Sequence, residues 1–212
     1  MILIGQYDSP FVRRVAIALA LYDMPFEHRA WSVFRDADQI AAYNPLKRVP
    51  TLVLNDGEVL IESGLILDAL DDMAGARSAL TPACGPERRA VMKVCALGAG
   101  LADKAVALVY ERVLHHVTSQ TWIDRCLGQI GDVLGALEED RATRGTRWWF
   151  GDGLSHADIM VGCAIRFIRD AHGETFNLAQ WPALSAHSIR CEDLDVFQAF
   201  QQPFVVTPPA KA

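Results

Sequence analysis

The chain has 212 residues, 51% hydrophobic and 22% charged, with a formal charge of −6. That length suits one large or two small domains with an ample core, and the mixture excludes wholesale disorder. An acidic balance argues against a general nucleic-acid binder, and no apolar run approaches the ~20 residues of a membrane span. The amino terminus, Met1-Ile2-Leu3-Ile4-Gly5, lacks the basic start and cleavage region of a signal peptide and reads directly as a strand. The five cysteines (Cys84, Cys95, Cys126, Cys163, Cys191) are odd in number and scattered, without Cys-x-x-Cys or metal-ligand spacing. They read as reduced and mostly structural, in a cytoplasmic protein with no metal.

In chain order, Met1 to Gln6 is a short apolar strand. Phe11, Val15, Leu19 and Tyr22 recur at helical spacing, with Arg13 and Arg14 beside them, and Pro25 ends that helix. Phe26 to Val33 reads as a second strand, and Asp36 to Tyr43 as a short helix that runs up to Asn44-Pro45. Thr51 to Leu54 and Glu58 to Ile61 then flank Asn55-Asp56-Gly57, a hairpin signal because Asp and Gly tolerate positive φ. Pro50 cannot donate to a ladder and belongs at the mouth of that strand. The Val49-Pro50 bond is a candidate cis peptide, which would turn the Val49 backbone outward to pair with an extended peptide. Glu62 and Ser63 bring a carboxylate and a hydroxyl to the start of a helix running to about Ala74, where free N–H groups favour an anionic ligand. The layout suits a small peptide with both amine and carboxylate ends.

Gly75 to Pro86 has the proline, glycine and small-residue composition of a linker, and Pro86 fits the first turn of a new helix. Little strand signal follows. Helices are expected over about 87–116 and 119–142 and from Ser155 to about Asp170. Shorter ones follow Trp181-Pro182 and Glu192-Asp193, and Pro203 to Ala212 reads as an extended tail. Ser155 and Asp158 have capping-box spacing, and Leu154 and Ile159 form a hydrophobic staple around it. Trp148, Trp149 and Phe150 read as a packing cluster beside that box. The chain therefore divides into an α/β domain (1–75, β-α-β-α-β-β-α), a linker (76–86), an all-helical domain (87–202) and a tail (203–212).

Two motifs in this order, Val49-Pro50 with Glu62-Ser63 and the later capping box, resemble the cytosolic glutathione S-transferases over nearly the whole chain. That resemblance implies a thioredoxin-like first domain that binds glutathione and a helical domain that forms the second-substrate site. It implies that the Val49 backbone pairs with the cysteinyl unit, that Glu62 and Ser63 hold the γ-glutamyl end, and that Lys47 lies near the glycine carboxylate. Asp103 is similar to an acid that such enzymes often bring from the partner subunit to the γ-glutamyl amine; a solvated helix acid is the plain alternative. Family members are usually homodimers, and the resemblance implies one here, with a small electrophilic molecule as second substrate. Phe11, Tyr110, Arg112 and His115 are candidates for the second-substrate pocket, with surface or packing roles as their alternative. The adjacent His115-His116 pair does not share a helix face, which argues against zinc.

The reactive corner of such a domain is Ser9-Pro10-Phe11-Val12-Arg13-Arg14. Ser9 and Val12 stand where a redox member has Cys-x-x-Cys, so neither dithiol reduction nor cysteine-dependent exchange is available there. A serine suits conjugation, in which the sulfur of glutathione is the nucleophile. A thiol of pKa ~8.5 is about 3% ionised at pH 7, and a drop of roughly 2 units (~2.7 kcal/mol) makes the thiolate dominant. A hydroxyl donating to the sulfur and a helix start both act in that direction. Ser9 is therefore the expected thiolate stabiliser, its plain alternative being a simple helix cap. Tyr7, on the same strand end, is the rival, with packing as its own alternative. Arg14 reads as a structural bridge between the domains and Arg13 as a solvated charge. The maleylacetoacetate isomerases, a branch of the family, carry Ser-Ser-Cys at this corner, unlike Ser9-Pro10-Phe11. Other readings are glutathione-dependent isomerisation, glutathione-dependent disulfide reduction, and a non-catalytic binding or regulatory protein on the same fold.

Overall fold

The computed structural model describes residues 1–205; the rest of the proline-rich tail, 206–212, lies outside the described residues. Four short strands, β1 (Ile2–Ile4), β2 (Glu27–Arg29), β3 (Thr51–Val53) and β4 (Val59–Ile61), form one sheet in the order β2-β1-β3-β4. β1 runs parallel to β2 and antiparallel to β3, and β3 runs antiparallel to β4, with Ile4 opposite Thr51 and Thr51 opposite Ile61. Helices α1 (Pro10–Leu21), α2 (Ala37–Ala41) and α3 (Ser63–Ala74) complete the expected β-α-β-α-β-β-α order. Then come α4 (Gly85–Leu114), α5 (Gln120–Ala142), α6 (His156–His172), a 3-10 turn (Leu178–Gln180), α7 (Pro182–Glu192) and α8 (Asp195–Ala199).

The first two strands are shorter than the apolar runs suggest. Gly5 ends β1 at φ +130°, where a Cβ would meet Val12 Cγ2 at 2.5 Å and Val49 Cβ at 2.8 Å. Only glycine lets α1 and the Val49 loop close on the strand end this tightly. β2 stops because the Ser32 N–H donates to Asp36 Oδ2 (2.8 Å) and the Phe34 N–H to Ser32 Oγ (3.3 Å), turning the chain off the ladder. The first long helix ends at Leu114 rather than 116. Glu111 folds the chain back there, bonding His115 Nδ1 at 2.8 Å and accepting from the Ser119 N–H at 2.6 Å.

Leu3, Val15, Leu19, Leu52, Ile66 and Leu70 fill the core between the sheet, α1 and α3. Leu101, Leu108, Ile130, Leu134, Met160 and Ile165 fill a larger one among α4, α5 and α6. Each fully buried aliphatic side chain contributes roughly 1.5–3 kcal/mol. Ile17 of α1 packs with Ile159, Cys163 and Phe197, so the two parts share a seam. The capping box forms as expected. Buried Asp158 accepts from the Ser155 N–H (2.9 Å), the Ser155 hydroxyl (2.6 Å) and the Trp149 N–H (2.7 Å). Leu154 packs in the same cluster as Ile159, and Trp148 and Trp149 are buried beside the box. All five cysteines are unpaired, and four of them are buried.

The expectation for Arg13 is corrected. It is only 3% exposed and forks onto Glu192 through Nη1 (2.7 Å) and Nη2 (2.9 Å). It also donates to the Phe197 carbonyl (2.8 Å) and, through Nε, to the Phe200 carbonyl (3.1 Å). Arg13 therefore ties α1 to α7 and to the segment after α8. Arg14 bridges the two parts as expected, donating to Ser63 Oγ at 2.6 Å and lying 2.9 Å from Met160 Sδ. The stretch expected as a linker is pinned at Leu80. The Leu80 N–H donates to the Tyr22 hydroxyl (2.9 Å) and to Asp71 Oδ1 (3.1 Å), and Asp71 also bonds His156 Nε2 at 3.0 Å.

Candidate active site

Ser9 is the N-cap of α1, and Pro10, which has no N–H to leave unpaired, occupies the first turn. The Val12 N–H donates to Ser9 Oγ at 3.4 Å, a long contact at the weak end of capping geometry. Capping uses a lone pair and leaves the Ser9 proton free to donate elsewhere. The capping reading and the catalytic reading of this serine are therefore compatible.

Ser9 opens onto a cavity of about 850 Å³ between the sheet domain and α4. Val49, Lys47 and Arg48 line it from the loop before β3, and Phe11 from the start of α1. Asp103, Val106, Ala107, Tyr110, Val113 and Leu114 line it from α4, a stripe at the three- and four-residue spacing of one helix face. Arg112 and His115, expected in this pocket, lie outside its lining. Arg112 is two residues from Tyr110 and so faces the other side of α4, while His115 has passed the helix end and pairs with Glu111. Phe34, in the turn after β2, packs edge-to-face on Tyr110 with ring centroids 5.4 Å apart, joining the two walls.

The Val49-Pro50 bond is cis, and among the described residues no hydrogen bond engages the Val49 N–H or C=O. Pro50 is buried beneath it. Glu62 sits at the N-cap of α3 at φ 64° without capping it, so the first amides of α3 meet no side-chain acceptor. Its carboxylate lies 3.5 Å from Arg48 Nη1, at the edge of the cavity. Ser63 is buried and accepts from Arg14. Lys47 Nζ contacts Asp38 at 3.1 Å, and Asp103, half-exposed, contacts Lys104 at 3.0 Å. Asp103 lines the cavity of its own chain. Tyr7 does not line that cavity; its ring stacks on His28 at 3.9 Å and meets Phe200 edge-on. Burial pushes its hydroxyl up to about 12, so it stays protonated at neutral pH.

Several lining residues were not foreseen. Asp8 precedes Ser9 in the same loop, and burial raises its pKa above the ordinary carboxylate value. Trp31 comes from the stretch expected to be strand, and Phe34 follows it directly. Gln202 and Phe204 come from the segment after α8, where composition carries no signal beyond an extended chain.

Residues 3–78 match the glutathione S-transferase N-terminal domain and residues 120–190 the glutathione S-transferase C-terminal domain. The chain is 30% identical to the uncharacterized GST-like protein YibF of Escherichia coli, over 79% of this chain and 82% of the relative. This chain belongs to the glutathione S-transferase family. It is also 31% identical to the maleylacetoacetate isomerase of Pseudomonas aeruginosa, over 76% and 78% of the two chains. Among solved structures, a glutathione S-transferase from Methylobacterium radiotolerans, in complex with glutathione sulfonate, matches with a TM-score of 0.90. The match covers 100% of this chain and 98% of the other at 27% identity. The family assignment agrees with the thioredoxin-like sheet domain followed by helices. Among the described residues no helix is long and apolar enough to cross a membrane.

Proposed function

We propose that this family member binds glutathione in the sheet domain (1–75) and conjugates it to a small electrophile held against the helical domain (87–202). The observation that carries this reading is Ser9, a helix cap with a free hydroxyl proton, opening onto the interdomain cavity that Val49 also lines. The groups present fit the tripeptide. The unengaged Val49 N–H and C=O would pair with its cysteinyl unit, and the uncapped start of α3 with Ser63 and Glu62 would take the γ-glutamyl end. Lys47 would approach the glycine carboxylate. Asp103, brought from the second subunit of a homodimer, is proposed for the γ-glutamyl amine. The relative crystallised with glutathione sulfonate supports this choice of ligand.

In the reaction the glutathione thiol gives its proton to solvent. The Ser9 hydroxyl and the positive end of α1 hold the resulting charge. The sulfur then forms a bond to the electrophilic carbon, and the leaving group departs with its electron pair. Tyr7 is the alternative activator; its packing away from the cavity favours Ser9. The protein is further proposed to act as a homodimer, as its family usually does.

Glutathione-dependent isomerisation is the second reading, favoured by the resemblance to maleylacetoacetate isomerase. Retention on immobilised glutathione, followed by assays with 1-chloro-2,4-dinitrobenzene and with maleylacetoacetate, separates the readings. Conjugation that falls in Ser9→Ala supports the first. Isomerisation without conjugation supports the second. Failure to bind glutathione overturns both and points to a non-catalytic binding protein.

A further inference from the structure

The segment that follows α8 crosses to the catalytic corner and is fastened at three points. The Phe200 carbonyl accepts from Arg13 Nε at 3.1 Å, and Gln202 Oε1 accepts from the Tyr7 N–H at 2.9 Å. Phe204 then packs edge-to-face on Phe167 of α6, with ring centroids 5.1 Å apart. Gln202 and Phe204 both line the cavity that Ser9 opens onto. Arg13 is itself buried and locked to Glu192, so the first anchor is rigid. The second anchor lies two residues before Ser9, which ties this segment to the loop bearing the reactive hydroxyl.

We infer that Phe204 is a specificity-determining residue, the wall against which the apolar part of the acceptor packs, and that Gln202 is the positioning residue that holds the wall against the Ser9 loop. This rests on the glutathione reading given above. Phe204 from the tail and Phe167 from α6 present aromatic surface to the cavity. Long or bulky apolar acceptors should therefore sense Phe204, whereas the tripeptide alone should not. Compact acceptors, which end nearer to the sulfur, should sense it little.

S-substituted glutathiones test this without requiring turnover, because they place an acceptor-like group on the sulfur. The dissociation constants of S-methylglutathione and S-hexylglutathione are measured by calorimetry for wild type, Phe204→Ala, Phe204→Leu and Gln202→Ala. Wild type should bind the hexyl compound more tightly. The preference for hexyl over methyl should fall by about five- to tenfold in Phe204→Ala, as apolar contact area is lost, and recover in part in Phe204→Leu. Gln202→Ala should lower the same preference. An unchanged preference in Phe204→Ala, or equal weakening of both ligands, would overturn the inference. If wild type binds neither compound, the glutathione reading itself fails, a distinct outcome.

Discussion

Arg14 Nη2 donates to Ser63 Oγ at 2.6 Å beneath the start of α3. The guanidinium is buried, and its Nε meets no acceptor among the described residues. A hydroxyl that accepts from Arg14 keeps its own proton for a ligand, and it is the ligand's carboxylate that would bring negative charge to this place. Arg14→Gln should therefore weaken glutathione binding by about 10-fold or more, the size of one charge-assisted hydrogen bond. Cysteinylglycine, which lacks the γ-glutamyl carboxylate, should lose less than about 2-fold, since it forms no such bond. Competition binding compares the two ligands, and equal losses would show that Arg14 serves only to hold the domains together.

Arg13 and Glu192 form a fork, and removing Arg13 leaves the Glu192 carboxylate with only Arg166 Nη1 (3.1 Å) and Gln201 Nε2 (3.3 Å) as partners. Burial opposes the Arg13 charge, but the Glu192 carboxylate outweighs it and keeps the guanidinium pKa above its ordinary value. Arg13→Met should cost about 3 kcal/mol or more of unfolding free energy in urea. The double variant Arg13→Met with Glu192→Gln should recover part of that loss, because it removes a carboxylate left with one cation, Arg166, in place of two. Had Arg13 been a solvated charge, the single change would stay within about 0.5 kcal/mol.

Asp71 sets an acid limit on the domain seam. Burial raises its pKa, but hydrogen bonds from His156, Tyr22 and the Leu80 N–H outweigh that and hold it below the ordinary carboxylate value. Because the folded pKa is depressed, its stabilising contribution is present above the unfolded value, near pH 4. It is lost as pH falls through the lower folded value. Stability curves for wild type and Asp71→Asn should therefore converge below about pH 4 and separate above it, with wild type the more stable. A constant gap from pH 3 to 7 would show that the carboxylate charge is irrelevant.

What could be read from the sequence was local chemistry. The Asn55-Asp56-Gly57 turn, Pro50 at a strand mouth, Ser155 and Asp158 at a helix start, and Pro10 after Ser9 each act within a few residues. Their spacing therefore carries the signal. Arg13 could not be read this way, because Glu192 lies 179 residues away and nothing near Arg13 hints at a buried partner. Arg112 was legible in principle. The stripe of Asp103, Val106, Ala107 and Tyr110 already puts it on the far side of α4. Phe204 left no trace, since a proline-bearing tail looks the same whether it hangs free or closes a cavity.

Ser9 is proposed to lower the pKa of the glutathione thiol. Ultraviolet titration of the bound thiolate, in wild type and in Ser9→Ala, tests it directly. The cap on Val12 is long, so Ser9→Ala should cost no more than about 1 kcal/mol of stability and remain folded. In wild type the bound-thiol pKa should lie about 2 units below that of a free thiol. In Ser9→Ala that pKa should return most of the way, and conjugation at neutral pH should fall about 10- to 100-fold, the worth of one hydrogen bond to a charged group. The same depressed pKa in both proteins would rule out Ser9 as the activating group and leave the activation to another.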